Sequence, residues 1–251
     1  MALASGEAHV WYAWTERCCA PARLAWYRSL LSDDERVRLE RFAFEHLKHE
    51  YLLTRALCRL TLSRYAEVSP AAWRFRANEF GRPQIVGSEA SLPLRFNLSN
   101  ARTLVACVVA RDIEVGVDVE EIDRGGELVD IADRHFSEFE LRALRALPSS
   151  RQNRRFFELW TLKESYIKAR SLGLSIPLDQ FSFTLDPVSE VEKQLPIRIS
   201  FSPSLGDNAK DWQFQLFAPS ERHLMAVSLR RGDGPDLRVR VMETIPGAGI
   251  A

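Results

Sequence analysis

The order in which strand and helix patterns alternate constrains this fold more than any other feature of the sequence. An aromatic-rich strand pattern at residues 9–14 precedes two helical patterns, and short strand patterns follow after Pro70. Another strand pattern at residues 114–120 is again followed by helical patterns and then by strands. A chain that runs strand, helices, strands twice is predicted to form an α+β protein of two similar halves. We expect these halves to be residues 1–112 and 113–251, with a cleft between them.

Two serine-led segments mark helix starts. Ser32-Asp33-Asp34-Glu35 and Ser137-Glu138-Phe139-Glu140 each place a glutamate three residues after an N-cap serine, which is the capping-box signature. The clearest helical patterns cover about residues 47–66 and 154–169. Strand patterns are predicted at residues 73–77, 94–98, 104–110, 114–120, 181–185, 197–201, 212–217, 223–229 and 237–241.

Composition excludes several classes of protein. The 251 residues are 46% hydrophobic and 27% charged, as in an ordinary globular protein. The 34 basic and 34 acidic residues cancel, so no overall field attracts nucleic acid or an anionic membrane, and we expect neither partner. The longest apolar runs fall far short of the roughly 18 residues of a membrane span.

The cysteines indicate a reducing compartment. The sequence has four of them and no CxxC pair, so we expect a cytoplasmic protein without disulfides or a cysteine-based metal site. Cys58 and Cys107 lie in apolar segments and are predicted to be buried thiols rather than nucleophiles.

Two carboxylates lie two residues apart in Gly116-Val117-Asp118-Val119-Glu120. On a strand, Asp118 and Glu120 project from one face while the two valines face the core. The paired negative charges repel one another unless a cation lies between them, and Mg²⁺ prefers such oxygen ligands. A solvated face of an edge strand explains this spacing equally well.

A second group of charges lies in the helical pattern near residue 164. Glu164 and Lys168 are four residues apart and therefore share one helix face. Alone, such a pair is typical of an exposed helix surface. Together with Asp118 and Glu120, it would complete a site for a metal ion and a phosphate.

Five short segments carry distinctive residues in a defined order: Phe80-Gly81-Arg82-Pro83, Phe96-Asn97-Leu98-Ser99, Gly116-Val117-Asp118-Val119-Glu120, Phe157-Glu158-Leu159-Trp160-Thr161-Leu162-Lys163-Glu164-Ser165-Tyr166-Ile167-Lys168 and Gly173-Leu174-Ser175-Ile176-Pro177-Leu178. In order and spacing they resemble the signatures of Sfp-type 4′-phosphopantetheinyl transferases, over about residues 32–185. The resemblance implies two pseudo-symmetric α+β halves with the active site in the cleft between them. It implies transfer of the phosphopantetheine arm of coenzyme A to a serine of an apo acyl or peptidyl carrier protein, with release of 3′,5′-ADP.

The resemblance also implies roles for individual residues. Asp118, Glu120 and Glu164 fall on the family's magnesium ligands, and Lys168 falls on its phosphate-contacting lysine. Asp118, Glu164 and Lys168 are thus the predicted catalytic residues, which would also contact coenzyme A. Glu164, or a water bound to the metal, would take the proton of the serine.

Recognition of the 3′-phosphate of coenzyme A is predicted in the first half. The resemblance points to Arg55, Arg82, Ser99 and Asn100, with Phe80 and Gly81 of the same motif contacting the cofactor and Arg38 as a weaker member. Arginine suits a phosphate through its fork of donors. Asn100 departs from the family, in which many members carry a histidine, and its amide cannot become cationic.

The expected carrier partner is acidic around its serine, so exposed arginines would dock it. The candidates lie in the helical part of the second half: Arg134, Arg142, Arg145, Arg151, Arg154 and Arg155. Fatty-acid, polyketide, peptide-synthetase and aminoadipate-reductase carriers all remain open as acceptors.

Two other functions compete with the transferase. A Mg²⁺-dependent phosphodiester hydrolase uses similar carboxylates and a lysine, although many such nucleases place that lysine two residues after a strand carboxylate. A catalytically inactive carrier-binding module would keep the fold without the chemistry. Because both halves lie in one chain, we expect a monomer.

Overall fold

The computed structural model describes residues 3–122, 128–185 and 197–248. The helices in these residues are α1 (Pro21–Leu30), α2 (Asp33–Glu40), α3 (Glu45–Leu62), α4 (Leu128–His135), α5 (Glu138–Arg145) and α6 (Ser149–Arg170). The strands are β1 (Glu7–Trp14), β2 (Phe75–Ala77), β3 (Pro83–Ile85), β4 (Leu94–Ala101), β5 (Leu104–Arg111), β6 (Val115–Glu121), β7 (Phe181–Leu185), β8 (Ile197–Phe201), β9 (Trp212–Ser220), β10 (His223–Arg230) and β11 (Arg238–Glu243). The mixed α+β class predicted from the sequence is confirmed.

The chain divides into two compact units, residues 1–115 with 237–251 and residues 116–236. In the first unit the sheet order is β11-β1-β5-β4, with β1 antiparallel to β5 and parallel to β11. The predicted division at residue 112 differs from this one chiefly at the final strand. Residues 237–251 join the first unit because β11 pairs with β1, as in the register of Val10 with Val241.

The second unit repeats the plan of the first. Its three-stranded sheet has the order β6-β10-β9, which corresponds to β1-β5-β4 in the first unit. In the described part of each unit, three α-helices follow the first strand, and a small antiparallel pair, β2-β3 or β7-β8, precedes the strand pair β4-β5 or β9-β10. This common plan is the one that the alternating order of elements predicts.

Each unit packs its longest helix against its sheet. In the first, the apolar face of α3, which includes Leu53 and Leu57, packs against β5, whose Val105 and Val109 are fully buried. In the second, α6 packs against β10, and Leu162 and Ala226 lie in the same core. These faces form because apolar residues recur at helical spacing in α3 and α6.

The two predicted capping boxes are present. Ser32 begins α2 and Ser137 begins α5, each accepting a hydrogen bond from the backbone of the glutamate three residues later. Helix α1 was not predicted, because its apolar residues are not confined to one helix face. It is anchored within the first unit by Tyr27, a fully buried residue whose hydroxyl donates to the Pro246 carbonyl oxygen.

Cys58 and Cys107 are buried, as the sequence predicts. Burial raises the pKa of the Cys58 thiol to about 12. The described cysteines are all free thiols. No helix in the described parts of the chain combines the length and apolarity needed to span a lipid bilayer.

We predict that Gly116→Ala destabilises the protein by at least about 1–3 kcal/mol, because α6 passes directly over this residue of β6. A Cβ atom here would lie 2.0 Å from the Ser165 carbonyl oxygen and 2.6 Å from the Ala169 nitrogen, both backbone atoms. Urea denaturation measures the loss. Gly206→Ala is the control, since Gly206 has φ +60 but open space around it. Equal losses in the two variants would contradict the role assigned to the close approach.

Candidate active site

Asp118 lies at the middle of β6, beyond the point where α6 passes over Gly116. Val117 and Val119 are buried on the opposite face, as predicted. Asp118 is only 4% exposed, and its Oδ1 accepts a hydrogen bond from Lys168 Nζ at 2.6 Å. The carboxylate face of β6 at Asp118 is therefore not the solvated surface that the spacing alone also allowed.

Glu164 and Lys168 lie one turn apart on α6. The pKa of Glu164 is raised to about 7, chiefly by burial and also by the nearby Asp118 carboxylate, while the Lys168 ammonium opposes the shift. Glu164 has no hydrogen bond from another described side chain or backbone group. The site thus brings two carboxylates close to one ammonium, as the combination of strand and helix motifs predicts.

Two carboxylates beside a single ammonium suit a divalent cation. Mg²⁺ is commonly held by one or two carboxylates together with substrate phosphates, so Asp118 and Glu164 fit this ion. Glu120 is half-buried on the same face of β6 as Asp118. Within the described ranges, however, no three acidic, histidine or cysteine side chains converge as metal ligands, so the predicted set of three is not assembled.

A pocket of about 740 Å³ lies in the first unit between α2, α3 and the β2-β3 hairpin. Arg38, Arg55 and Gly81, three of the residues expected near coenzyme A, line it. The Arg55 guanidinium lies over the Phe75 ring, and its Nε donates to Glu35 Oε1 at 2.8 Å. Arg55 is thus held in place at the pocket by a carboxylate and an aromatic ring.

Two further arginines of this pocket were missed in the sequence. Arg74 and Arg76 flank Phe75 and contribute to the lining. The signal was the alternation of arginine and an aromatic residue just before the Gly81-Arg82-Pro83 segment, because alternate residues of a strand share a face. The pocket is therefore richer in positive charge than the motif residues alone suggested.

The Arg82 side chain donates hydrogen bonds to neighbouring groups of the first unit. Its guanidinium donates to Glu114 and to the carbonyl oxygens of Phe96 and Val115, each at 3.1 Å. Burial lowers the pKa of Arg82, and the Glu114 carboxylate opposes that shift. Arg82 thus links the β2-β3 hairpin to β4 and to the start of β6 through hydrogen bonds. Its position before a proline in the sequence did not indicate this structural role.

The turn before Arg82 explains the glycine of the motif. Gly81 has φ +83, a conformation that glycine adopts readily, and its N–H donates to the Asn78 carbonyl oxygen. The Asn78 side chain accepts from the backbone N–H groups of Phe80 and Arg82. Phe80 is 40% exposed at this turn.

Ser99 and Asn100 are neighbours on β4 with opposite environments. Ser99 is buried, whereas Asn100 is exposed and its amide donates to the Glu50 carboxylate of α3. A carboxylate beside Asn100 disfavours an anion at that position. The departure from histidine at residue 100 is thus accompanied by a carboxylate partner.

The six predicted docking arginines lie on α4, α5 and α6. All except the half-buried Arg155 are exposed. Several form ion pairs within the unit, such as Arg145 with Asp133 and Arg155 with Glu158. The surface of α4, α5 and α6 that carries these arginines therefore contains both positive and negative charges.

We predict that Glu164→Gln stabilises the metal-free protein at pH 8 by roughly 1–3 kcal/mol and has little effect at pH 4. The pKa of Glu164 is about 7 in the folded protein against 4.5 for an unperturbed carboxyl, so folding favours its protonated form. The free energy of unfolding therefore falls as the pH rises from about 4.5 to about 7, and glutamine, which does not ionise, avoids this decrease. Urea denaturation in EDTA measures it, with the exposed Glu138→Gln as control. A variant no more stable than wild type at pH 8 would show that Glu164 is not held in this environment.

The sequence is similar to several known proteins. A model of the 4′-phosphopantetheinyl transferase superfamily matches residues 114–228. The Nostoc 4′-phosphopantetheinyl transferase HetI is 28% identical over 229 residues, which cover 91% of this chain and 90% of HetI. Sfp of Bacillus subtilis is 33% identical over 171 residues, covering 68% of this chain and 73% of Sfp.

A human relative extends the range of organisms. The human L-aminoadipate-semialdehyde dehydrogenase-phosphopantetheinyl transferase is 25% identical over 229 residues, covering 85% of this chain and 72% of that protein. The Sfp match combines 33% identity with coverage of 73% of the relative's length. The chain belongs to the 4′-phosphopantetheinyl transferase superfamily.

Proposed function

We propose that this protein transfers the 4′-phosphopantetheine group of coenzyme A to a serine of an apo carrier protein, in a Mg²⁺-dependent reaction at Asp118, Glu164 and Lys168. The class of reaction follows from family membership, since the family moves phosphopantetheine from coenzyme A to carrier proteins. The prediction of a transferase from the sequence is thereby confirmed. The observation that supports the assigned residues is the Asp118–Lys168 contact beside Glu164.

The proposed reaction replaces a phosphoanhydride bond of coenzyme A with a phosphate ester of the carrier serine. The serine oxygen forms a bond to the phosphorus that carries pantetheine, the bond from that phosphorus to the bridging oxygen breaks, and 3′,5′-ADP leaves. Such transfers are accelerated mainly by positioning and by neutralising phosphate charge. Lys168, held by Asp118, would contact a phosphate oxygen and offset its charge.

Glu164 would take the proton of the incoming serine. With a pKa of about 7, a substantial fraction of this carboxyl is ionised near neutral pH, which suits a general base. The buried surroundings that raise this pKa also keep the carboxylate weakly solvated, so it is ready to accept a proton.

Asp118 and Glu164 would hold the magnesium ion, with Glu120 as the predicted third ligand. The support is the chemistry of the donors: two carboxylates lie close together, and the pKa of Glu164 is raised chiefly by burial and also by the Asp118 carboxylate. When bound, Mg²⁺ supplies charge neutralisation for the phosphates.

The pocket of the first unit would hold the 3′-phosphate of coenzyme A. Its support is the cluster of Arg38, Arg55, Arg74 and Arg76, because guanidinium groups bind phosphate through paired donors. Arg55 would be the central contact, with Gly81 lining the same pocket.

Three further proposals concern the carrier partner, the oligomeric state and the cellular location of the protein. We propose an acidic apo acyl or peptidyl carrier as acceptor, met by the exposed arginines of α4, α5 and α6, and a monomeric protein in the cytoplasm with neither nucleic acid nor membrane as partner. No structural observation favours the hydrolase or the inactive carrier-binding module.

Intact-mass analysis of an apo acyl carrier protein tests the reaction. With this protein, coenzyme A and Mg²⁺, we expect the carrier to gain one phosphopantetheine group, because Glu164 would accept the serine proton and the metal would offset the charge of the phosphates. Glu164→Gln and addition of EDTA should each reduce transfer at least about 100-fold. Glu138→Gln, whose side chain is 85% exposed, should transfer normally. Coenzyme A binding without transfer to any carrier type would point to the inactive module. Hydrolysis of coenzyme A to phosphopantetheine and 3′,5′-ADP without a carrier would point to the hydrolase.

Dephospho-coenzyme A, which lacks the 3′-phosphate, tests the pocket. We expect Arg55→Gln to raise the KM for coenzyme A about tenfold, since one charge-assisted contact is worth about 1.4 kcal/mol, and to leave the KM for dephospho-coenzyme A unchanged. Arg36→Gln, an exposed arginine paired with Asp33, is the control. If Arg55→Gln weakened both donors equally, the 3′-phosphate would be bound elsewhere.

A further inference from the structure

The two capping boxes do more than begin helices. At each, the glutamate accepts from the backbone N–H of its N-cap serine, Ser32 or Ser137. Both glutamates are also buried, Glu35 at 7% exposure and Glu140 at 0%. A capping glutamate is ordinarily exposed, so these two carboxylates require cationic partners inside the protein.

In the first unit the cation is Arg59 of α3. Its Nη2 lies 2.7 Å from Glu35 Oε2, and the residue is only 1% exposed. Its Nη1 donates to the carbonyl oxygens of Pro70 and Trp73, in the segment that follows α3. The guanidinium also lies over the Phe75 ring.

The second unit repeats this arrangement with Lys163 of α6. Its Nζ lies 2.8 Å from Glu140 Oε2, and both side chains are fully buried. The ammonium donates to the carbonyl oxygens of Leu178 and Phe181, in the segment that follows α6, and lies 4.2 Å from the Phe181 ring centroid. The other Glu140 oxygen accepts from the Phe183 N–H.

The two buried pairs differ in what lies beside them. Glu35 also holds Arg55, which lies one turn before Arg59 and lines the pocket of the first unit. Lys163 is followed directly by Glu164, one turn before Lys168. The same device therefore adjoins a phosphate-binding cation in one unit and the reacting groups in the other.

Stability alone does not account for these pairs. Burying two charges is costly, and replacing such a pair by apolar groups is often neutral or stabilising. Each pair does fix the rotation of a long helix, because its cation reaches two backbone carbonyls of the following segment as well as the carboxylate. Residues four apart lie on nearly the same face of a helix, so Glu164 and Lys168 share one face of α6. A rotation of α6 about its axis would therefore turn both side chains away from Asp118.

We propose that Glu140 and Lys163 are positioning residues for the transfer step, and that Glu35 and Arg59 are positioning residues for coenzyme A binding. The inference rests on the proposed function. It assigns kcat to the pair in the second unit and the KM for coenzyme A to the pair in the first unit. The Glu140–Lys163 pair holds α6 so that Glu164 and Lys168 meet Asp118. The Glu35–Arg59 pair holds α3 and directs Arg55 to the pocket.

Matched glutamate-to-glutamine variants test this division. Glutamine preserves a capping box, so Glu140→Gln and Glu35→Gln keep the helix starts and remove only the buried charge. We expect Glu140→Gln to lower kcat about tenfold with the KM for coenzyme A within about twofold of wild type. Glu35→Gln should raise that KM about fivefold and leave kcat within about twofold. The same pattern in both variants, or wild-type kcat in Glu140→Gln, would overturn the proposal.

A double variant separates positioning from simple support of the fold. Glu140→Gln with Lys163→Met has no buried charge left uncompensated, and we expect it to melt near the wild-type temperature while kcat stays low. Recovery of kcat in the double variant would overturn the positioning role. Unfolding of both this variant and Glu140→Gln, with Glu35→Gln still folded, would also overturn it and assign the pair to folding. Absence of transfer by the wild-type protein would instead refute the proposed function.

Discussion

The close approach of α6 to β6 at Gly116 is the contact on which the candidate active site depends. A side chain at this position would overlap the backbone of Ser165 and Ala169. Because Asp118 lies two residues further along the same face of β6, the approach brings its carboxylate within 2.6 Å of Lys168 Nζ. The strand motif and the helix motif thus become one site through a contact between backbones.

The electrostatic character of that site follows from its burial. Asp118 and Glu164 are two carboxylates in a weakly solvated region, and Lys168 neutralises only part of their charge. The pKa of Glu164 is raised chiefly by burial and also by the Asp118 carboxylate, and a divalent cation or a proton would offset the remaining negative charge. Metal binding and proton transfer, the two functions proposed here for Glu164, are therefore alternative responses to one excess of negative charge.

The two units show how one plan serves different chemistry. In their described residues, both run from a first strand through three α-helices to a small antiparallel strand pair and then a second antiparallel pair, and both place a buried cation of the long helix against a capping glutamate. In the first unit the neighbouring residues form an arginine-rich pocket. In the second they form the acidic site on α6. Keeping the scaffold while changing the adjacent side chains would allow the two proposed tasks, phosphate recognition and group transfer, to be separated.

The sequence by itself determined what depends on neighbouring residues: the capping serines, the apolar faces of α3 and α6, the alternation around Asp118, and the family signatures that identify the chemistry. Only the tertiary structure decided features that join distant residues. These are the pairing of β11 with β1, the engagement of Arg82 with Glu114 and backbone carbonyls, the contact of Asn100 with Glu50, and the burial of Lys163 against Glu140. Helical and strand periodicity record which face of an element is apolar. They do not record which element covers that face, because the partner is chosen by packing across the whole fold.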